Sequence, residues 1–296
     1  GGIFPISSST GKADYEPIQR TADTFCINIS NYLPFRYFLL NILILCQRVP
    51  YPPNKGEKIR TYFQIEHLLE KSHKVSICTP AHNQEDVESI KSLSAIKNVL
   101  IVFEKMGHSL PRLIIGLLTF KALSISNFYS GHLQRKLDQL IKDQKFDTIL
   151  CTSSSMAEYI FKSHSIKNNS VTLMMDFMDL DSDKWKQYSK SSSWPMKWIY
   201  TREARILAKY ESKIQTAFNH CFFISQNEID LFNNQPAPTQ HLHVLGYGII
   251  TIYFFPSDNS PDNIYPLFIF TGVMDYIPNV VAVLWFIVQA WDLIIK

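Results

Sequence analysis

Residues 41–69 read NILILCQRVPYPPNKGEKIRTYFQIEHLL, and the reading of this stretch decides the fold. Ile42 to Cys46 is a short, continuous apolar run, the pattern of a strand buried on both faces of a parallel sheet. Pro50, Pro52 and Pro53 then end the ladder, because proline donates no backbone hydrogen bond and holds the chain extended. Asn54 and Gly56 provide a flexible exit, and from Glu57 the residues Ile59, Tyr62, Phe63 and Leu69 recur at helical spacing. Glu57 stands where a helix N-terminus favours negative charge. The stretch is therefore a first strand, a stiff loop and a first helix. A loop carrying Lys55 and Gly56 at the carboxyl end of such a strand is where open α/β sheets bind ligands. An ordinary proline-rich connection fits the same spacing, since PNKG is neither a phosphate loop nor GxGxxG.

Working outward, short apolar runs alternate with helical segments. Lys74–Thr79 and Val99–Phe103 read as the second and third strands, with a polar helix over residues 84–97 between them. Leu133, Leu137, Leu140 and Ile141 mark one face of a helix over 133–142. Strands follow at residues 146–151, 171–175 and 220–225. Such alternation predicts an α/β fold with a parallel sheet and right-handed crossovers. Residues 110–123 are strongly apolar and read as core, with a short helix over a cleft as the alternative. Residues 1–36 have no period and read as a loose extension.

Composition narrows the function classes. Hydrophobic residues make up 46% and charged residues 19% of 296 residues, which describes a globular chain, and a net charge of +3 makes no case for nucleic acid. The five cysteines form no CxxC or Cys/His cluster, so no metal is expected, and Cys46, Cys78, Cys151 and Cys221, in or beside apolar runs, read as buried thiols in a reducing cytoplasm. No signal peptide opens the sequence. The apolar stretches 37–46 and 280–295 are too short or too polar to read as membrane spans.

Polar residues gather at the ends of the later strands. Ser153 and Ser154 follow the strand at 146–151 and serve either as helix caps or as a ligand-facing loop. Asp176, Asp179, Asp181 and Asp183 crowd the end of the strand at 171–175, as a substrate-facing acidic corner or as the start of a helix. From Lys184 to Lys213 lysine, arginine and tryptophan interleave, a pattern that suits an anionic membrane surface. The same segment carries Ile199, Ile206, Leu207 and Tyr210 at core-facing spacing. His220, beside apolar residues, reads as structural.

Three segments go further. RVPYPPNKGEKIR (48–60), MDFMDLDSDKWKQYS (175–189) and FTGVMDYIPNV (270–280) resemble, in order, the motifs of bacterial family 4 glycosyltransferases, specifically the sugar transferases of PEP-CTERM exopolysaccharide systems. The resemblance implies a GT-B enzyme: a Rossmann-like acceptor domain over 37–256, then a linker and the first βα unit of a donor domain over 257–296. It implies a retaining transfer from a nucleotide sugar to an exopolysaccharide or lipid-linked acceptor, with no metal, at or near the inner face of the plasma membrane. Asp176 and Asp179 then stand as catalytic-site acids, Asn54, Lys55, Gly56, Ser153 and Ser154 as acceptor-side contacts, and Gly272 as a donor contact. The family's Asn-Gly-Val-Asp turn is altered to Tyr247, Gly248, Ile249 and Ile250. The sequence reaches Lys296 without the E-x7-E element and basic pair of such donor domains, so an incomplete and inactive donor half is expected. A non-catalytic glycan- or membrane-binding module on the same fold is the rival reading.

Overall fold

The computed structural model describes residues 39–96, 99–166, 170–233, 241–246, 268–272, 274 and 277–294. The expected extension 1–36 and the turn at 247–250 lie outside these residues. The chain divides into two compact units, Gly1–Tyr253 and Phe254–Lys296.

The first unit is built on seven strands: β1 (Asn41–Cys46), β2 (Lys74–Ala81), β3 (Val99–Lys105), β4 (Thr148–Thr152), β5 (Thr172–Asp176), β6 (His220–Phe223) and β7 (Leu242–Val244). All neighbours pair in parallel, in the order β3-β2-β1-β4-β5-β6-β7. The order reverses between β1 and β4, so the sheet is of the doubly wound, Rossmann-like type with its switch point at those two strands. The first strand shows why it had to be continuously apolar. Leu43 and Leu45 pack into one core with Leu137 and Ile160, while Ile42 and Ile44 pack into the opposite one with Ile65 and Leu68. A strand with both faces covered has no solvent side on which to carry a polar residue.

The helices are α1 (Gly56–Glu70), α2 (Gln84–Ser94), α3 (Ser109–Leu118), α4 (Leu123–Phe128), α5 (Gly131–Asp143), α6 (Ala157–Lys162), α7 (Asp181–Ser191), α8 (Met196–Ala217) and α9 (Gln226–Asn233). Helix α5 buries Leu133, Leu137, Leu140 and Ile141, the face its spacing predicts. In α1 the expectation was displaced. Its inner face is Arg60, Thr61, Gln64, Ile65 and Leu68, whereas Ile59, Tyr62, Phe63 and Leu69 are only half-buried, because Arg60 and Gln64 bond to Asp176 at the sheet edge.

Two further expectations are corrected. Residues 110–118 are not core: α3 exposes Leu110, Ile114, Ile115 and Leu118 and buries only Gly116. Nor is Lys184–Lys213 one helix. It is broken at 192–195 and folds back as the α7–α8 pair, with Trp185 turned in against Tyr188 and Tyr200 while Trp194 and Trp198 stay exposed. In the second unit, no strand of the βα unit expected over 257–296 is present among the described residues 268–272. There α10 (Ile277–Trp285) runs through a π-helical turn at Phe286–Ala290 into α11 (Trp291–Ile294).

Helix α8 fixes the flank of the sheet through two buried carboxylates. Glu203 accepts from the amides of Leu123 and Ser124 at 2.8 Å each, and Glu211 accepts from the amide of Ser182 at 2.9 Å. Each carboxylate satisfies the orphan amides that open another helix, α4 or α7. Burial pushes the Glu211 carboxyl up to about 8, against the hydrogen bonds from Ser182 that favour its charged form. A folded-state pKa above the unfolded value means that the native state binds the extra proton. The stabilisation is full below the unfolded carboxyl range near 4.3 and is lost as pH rises through the folded value. Urea unfolding from pH 5 to pH 9 is therefore expected to show wild type losing a few kcal/mol, at about 1.4 kcal/mol per unit of pKa shift, relative to Glu211→Gln. A pH-independent difference between the two would contradict this.

Candidate functional site

The loops after β1, β4 and β5 meet at the carboxyl edge of the sheet, at its switch point. Asp176, the last residue of β5, is where they are joined. Its carboxylate accepts from Arg60 Nε at 2.7 Å and Arg60 Nη2 at 3.1 Å, from Gln64 Nε2 at 2.8 Å, and from the Met178 amide at 3.3 Å. Its carbonyl accepts from the Ser153 amide at 2.7 Å. Arg60 also donates through Nη1 to the Gly246 carbonyl beyond β7, at 3.2 Å. Both Arg60 and Asp176 are 0% exposed. One buried, bidentate pair thus ties α1 to β5, to the turn after β4 and to the end of β7. Buried charges of this kind demand full hydrogen bonding, and this pair has it.

The turns held by this pair are strained. Ser153 has φ 75° and ψ 144°, and Met178 has φ 62°, regions that side-chain-bearing residues seldom occupy. None of the described glycines has a positive φ, so the flexibility expected of Gly56 is not used: it simply opens α1. Two of the five non-glycine residues with positive φ among the described residues thus lie in loops at this sheet edge, beside a buried ion pair.

Around these turns the hydroxyls form a network and do not cap the helix that follows. Gln47 Nε2 donates to Ser153 Oγ at 3.0 Å and to Ser155 Oγ at 2.9 Å, and Ser154 Oγ donates to Asp181 at 2.9 Å. Neither the turn Ser154–Met156 nor α6 has a side-chain cap. Ser153 and Ser154 are buried; Asn54, Lys55 and Gly56 are exposed in the loop that enters α1. Arg48 pairs with Glu57 at 2.7 Å beside them. The crevice between Gln47, Arg48, Lys58, Thr61, Ser153 and Met178 encloses about 10 Å³, room for roughly one water. The site is a rim and not a pocket.

The four aspartates divide. Asp176 is buried and organises the loops, so its geometry is that of a positioning residue and not of a group facing substrate. Asp181 and Asp183 open α7, where Asp181 is engaged by Ser154 and Lys184 and Asp183 by Gln187. Asp179 alone faces solvent. Partial desolvation pushes its carboxyl up, Lys184 and Arg60 pull it down, and Asp181 adds to the rise. Among the described residues no group of three His, Cys, Asp or Glu side chains could hold a metal ion. In the second unit, a Cβ on Gly272 would meet the side-chain ends of Asn279 (Nδ2, 2.8 Å) and Phe270 (ring, 2.9 Å), which would have to move aside.

Arg60, Gln64 and Gln47 were not anticipated. Arg60 and Gln64 are four residues apart, and two polar residues on the same stripe as Ile65 and Leu68 were a signal available to periodicity alone.

No family model matches the chain. It is 22% identical over 196 residues to an uncharacterized 44.6 kDa protein in the cps region of Klebsiella pneumoniae, covering 65% of this chain and 47% of that protein. Among solved structures, Arabidopsis thaliana UGT89C1 complexed with UDP-L-rhamnose is similar at TM-score 0.42 and 12% identity, over 71% of this chain and 49% of that one. The same plant protein complexed with quercetin is similar at TM-score 0.41 and 12% identity, over 70% and 50%. The chain spans about half the length of these proteins.

The ion pair makes a measurable claim. Asp176→Ala leaves the Arg60 guanidinium buried without its counter-charge and is expected to cost about 3–5 kcal/mol in urea unfolding. Arg60→Met with Asp176→Leu removes both charges and is expected to cost less than Asp176→Ala alone. Additive single-variant costs would mean that the two groups do not act together.

Proposed function

We propose that this chain carries the acceptor-binding half of a nucleotide-sugar-dependent glycosyltransferase. The observation that carries the reading is the convergence of three strand-end loops at the switch point, two of them strained, on a rim whose one solvent-facing strand-end aspartate is Asp179. The resemblance of residues 48–60, 175–189 and 270–280 to family 4 enzymes supports the chemistry, and a relative from a cps region accords with it.

In this reading the acceptor lies along the rim. Asp179 accepts hydrogen bonds from sugar hydroxyls, and its raised carboxyl makes it the group best placed to exchange a proton there. Asn54, Lys55 and Gly56 flank the acceptor, and Lys55 supplies positive charge near the departing diphosphate. Ser153 and Ser154 act through the Gln47 and Asp181 network, holding the loop shape, and Asp176 acts behind them. Gly272 serves the donor. The transfer joins the acceptor oxygen to the anomeric carbon as the nucleoside diphosphate leaves. A retaining course, a GT-B arrangement, a polysaccharide or lipid-linked acceptor and independence from metal all follow the same resemblance. A rim with room for about one water holds a sugar only when something closes over it, so the rate gain rests on positioning and on excluding solvent.

Saturation-transfer NMR with short oligosaccharides is the direct test. The 296-residue chain is expected to bind, and Asp179→Asn to lose affinity by about tenfold or more with its melting temperature held within about 2 °C. Joined to a complete donor-binding domain, the chain is expected to transfer label from one member of a nucleotide-sugar panel. Saccharide binding without any transfer in the joined protein would favour the non-catalytic module. No saccharide binding by the wild-type chain would sink the reading.

A further inference from the structure

Phe120 is the least explained residue of the first unit. It follows α3 at the position where a Schellman turn puts its left-handed residue: the Lys121 amide donates to the Gly116 carbonyl at 2.9 Å and the Phe120 amide to that of Leu117 at 3.4 Å. Glycine is the residue suited to that place, yet a phenylalanine stands there with φ 55° and is 81% exposed. The backbone strain brings it no packing. It presents an aromatic ring to solvent, at the end of a helix that also exposes Leu110, Ile114, Ile115 and Leu118.

A second apolar segment is fastened beside it. Arg202 of α8 donates through Nη2 to the Lys121 carbonyl at 3.0 Å and to the Gly116 carbonyl at 3.3 Å, the residues that bracket Leu117, Leu118 and Phe120. Trp198 lies one helical turn before Arg202 on the same face of α8 and is exposed, as are Trp194 and Met196 at the turn into α8. Lone exposed apolar residues need no explanation, but a contiguous group does.

Positive charge predominates around this group. From Lys105 to Leu137 there are five Lys and Arg residues and no Asp or Glu, and from Lys184 to Arg202 there are again five and none. Acids bordering these stretches are engaged: Glu203 is buried as the cap of α4, Glu158 is paired with Lys121 and Lys162, Glu104 with Lys136 and Asp181 with Lys184. Lys186, Lys190 and Lys197 are exposed. Protein–protein interfaces are depleted in lysine, whereas tryptophan and phenylalanine inside a lysine rim suit the headgroup layer of an anionic bilayer.

We propose that the exposed face of α3 with Phe120, together with Trp194 and Trp198, docks this chain on an anionic lipid bilayer, the aromatic rings entering the headgroup layer and the lysines meeting lipid phosphate. The contact is peripheral, since no helix of the described residues is long and apolar enough to cross a membrane. This surface stands on its own observations and does not require the glycosyltransferase reading.

Vesicle flotation of the 296-residue chain tests it, with phosphatidylcholine alone against phosphatidylcholine containing roughly 30 mol % phosphatidylglycerol. Binding is expected only with the anionic vesicles, with a blue shift of tryptophan emission, and weaker at high salt. Phe120→Gly is the decisive variant: it relieves the strained turn, so its melting temperature is expected to be equal or higher while vesicle binding falls about fivefold or more. Leu118→Ser and Lys197→Glu are expected to act in the same direction. Equal binding to both vesicle types, or binding indifferent to Phe120→Gly and Leu118→Ser, would overturn the proposal. So would a concentration-dependent dimer in light scattering that Phe120→Gly abolishes, because the face would then be occupied by a second copy.

Discussion

A guanidinium and a carboxylate, both withdrawn from water at the carboxyl edge of the sheet, hold this molecule's working end in shape. Arg60 and Asp176 meet through two parallel hydrogen bonds, and further bonds of the pair reach three loops: the Met178 amide, the Ser153 amide through the Asp176 carbonyl, and the Gly246 carbonyl. Burying two charges is unfavourable unless all their hydrogen bonds are made, so the pair tolerates few loop conformations other than this one. That explains how Ser153 and Met178 persist in backbone regions costing of order 1–3 kcal/mol each. The strain is held by a charge pair that has no other place to go.

The consequence for chemistry is a division of labour among residues that look alike in sequence. Asp176 shapes, Asp181 and Asp183 start a helix, and Asp179 is left facing solvent with its carboxyl raised. A similar division runs through α8, where Glu203 and Glu211 close the N-termini of α4 and α7 and so settle where the α7–α8 pair sits against α4. The flank that results carries the exposed aromatic and aliphatic residues of α3 and of the turn into α8 on the outside. Asp176 thus shapes the rim, and Glu203 and Glu211 shape the flank.

How much of this was legible in the sequence depended on whether a signal was local. The strand–proline–helix passage at 41–69, the apolar face of α5 and the run at 220–223 are patterns within one element, and each is where periodicity put it. The errors arose where partners distant in sequence decide. Helix α1 was turned toward Ile59 and Tyr62, because only the presence of Asp176, 116 residues from Arg60, makes a polar stripe the inner one. Residues 110–123 read as core because apolar content was equated with burial, although nothing in a sequence states that the face at 110–118 will be left uncovered.

By itself the sequence determined the class and the edge: alternating apolar runs and amphipathic helices give a parallel sheet flanked by helices, and prolines, hydroxyls and carboxylates collect where strands stop, because those are the points at which backbone groups need other partners. Only the tertiary structure decided which of four neighbouring aspartates faces water, which helix face is inner, and that Phe120 and Trp198 belong to one surface. Those are properties of contacts between residues about 80 to 120 positions apart, whose hydrogen bonds and burial come into existence only when the chain has closed on itself.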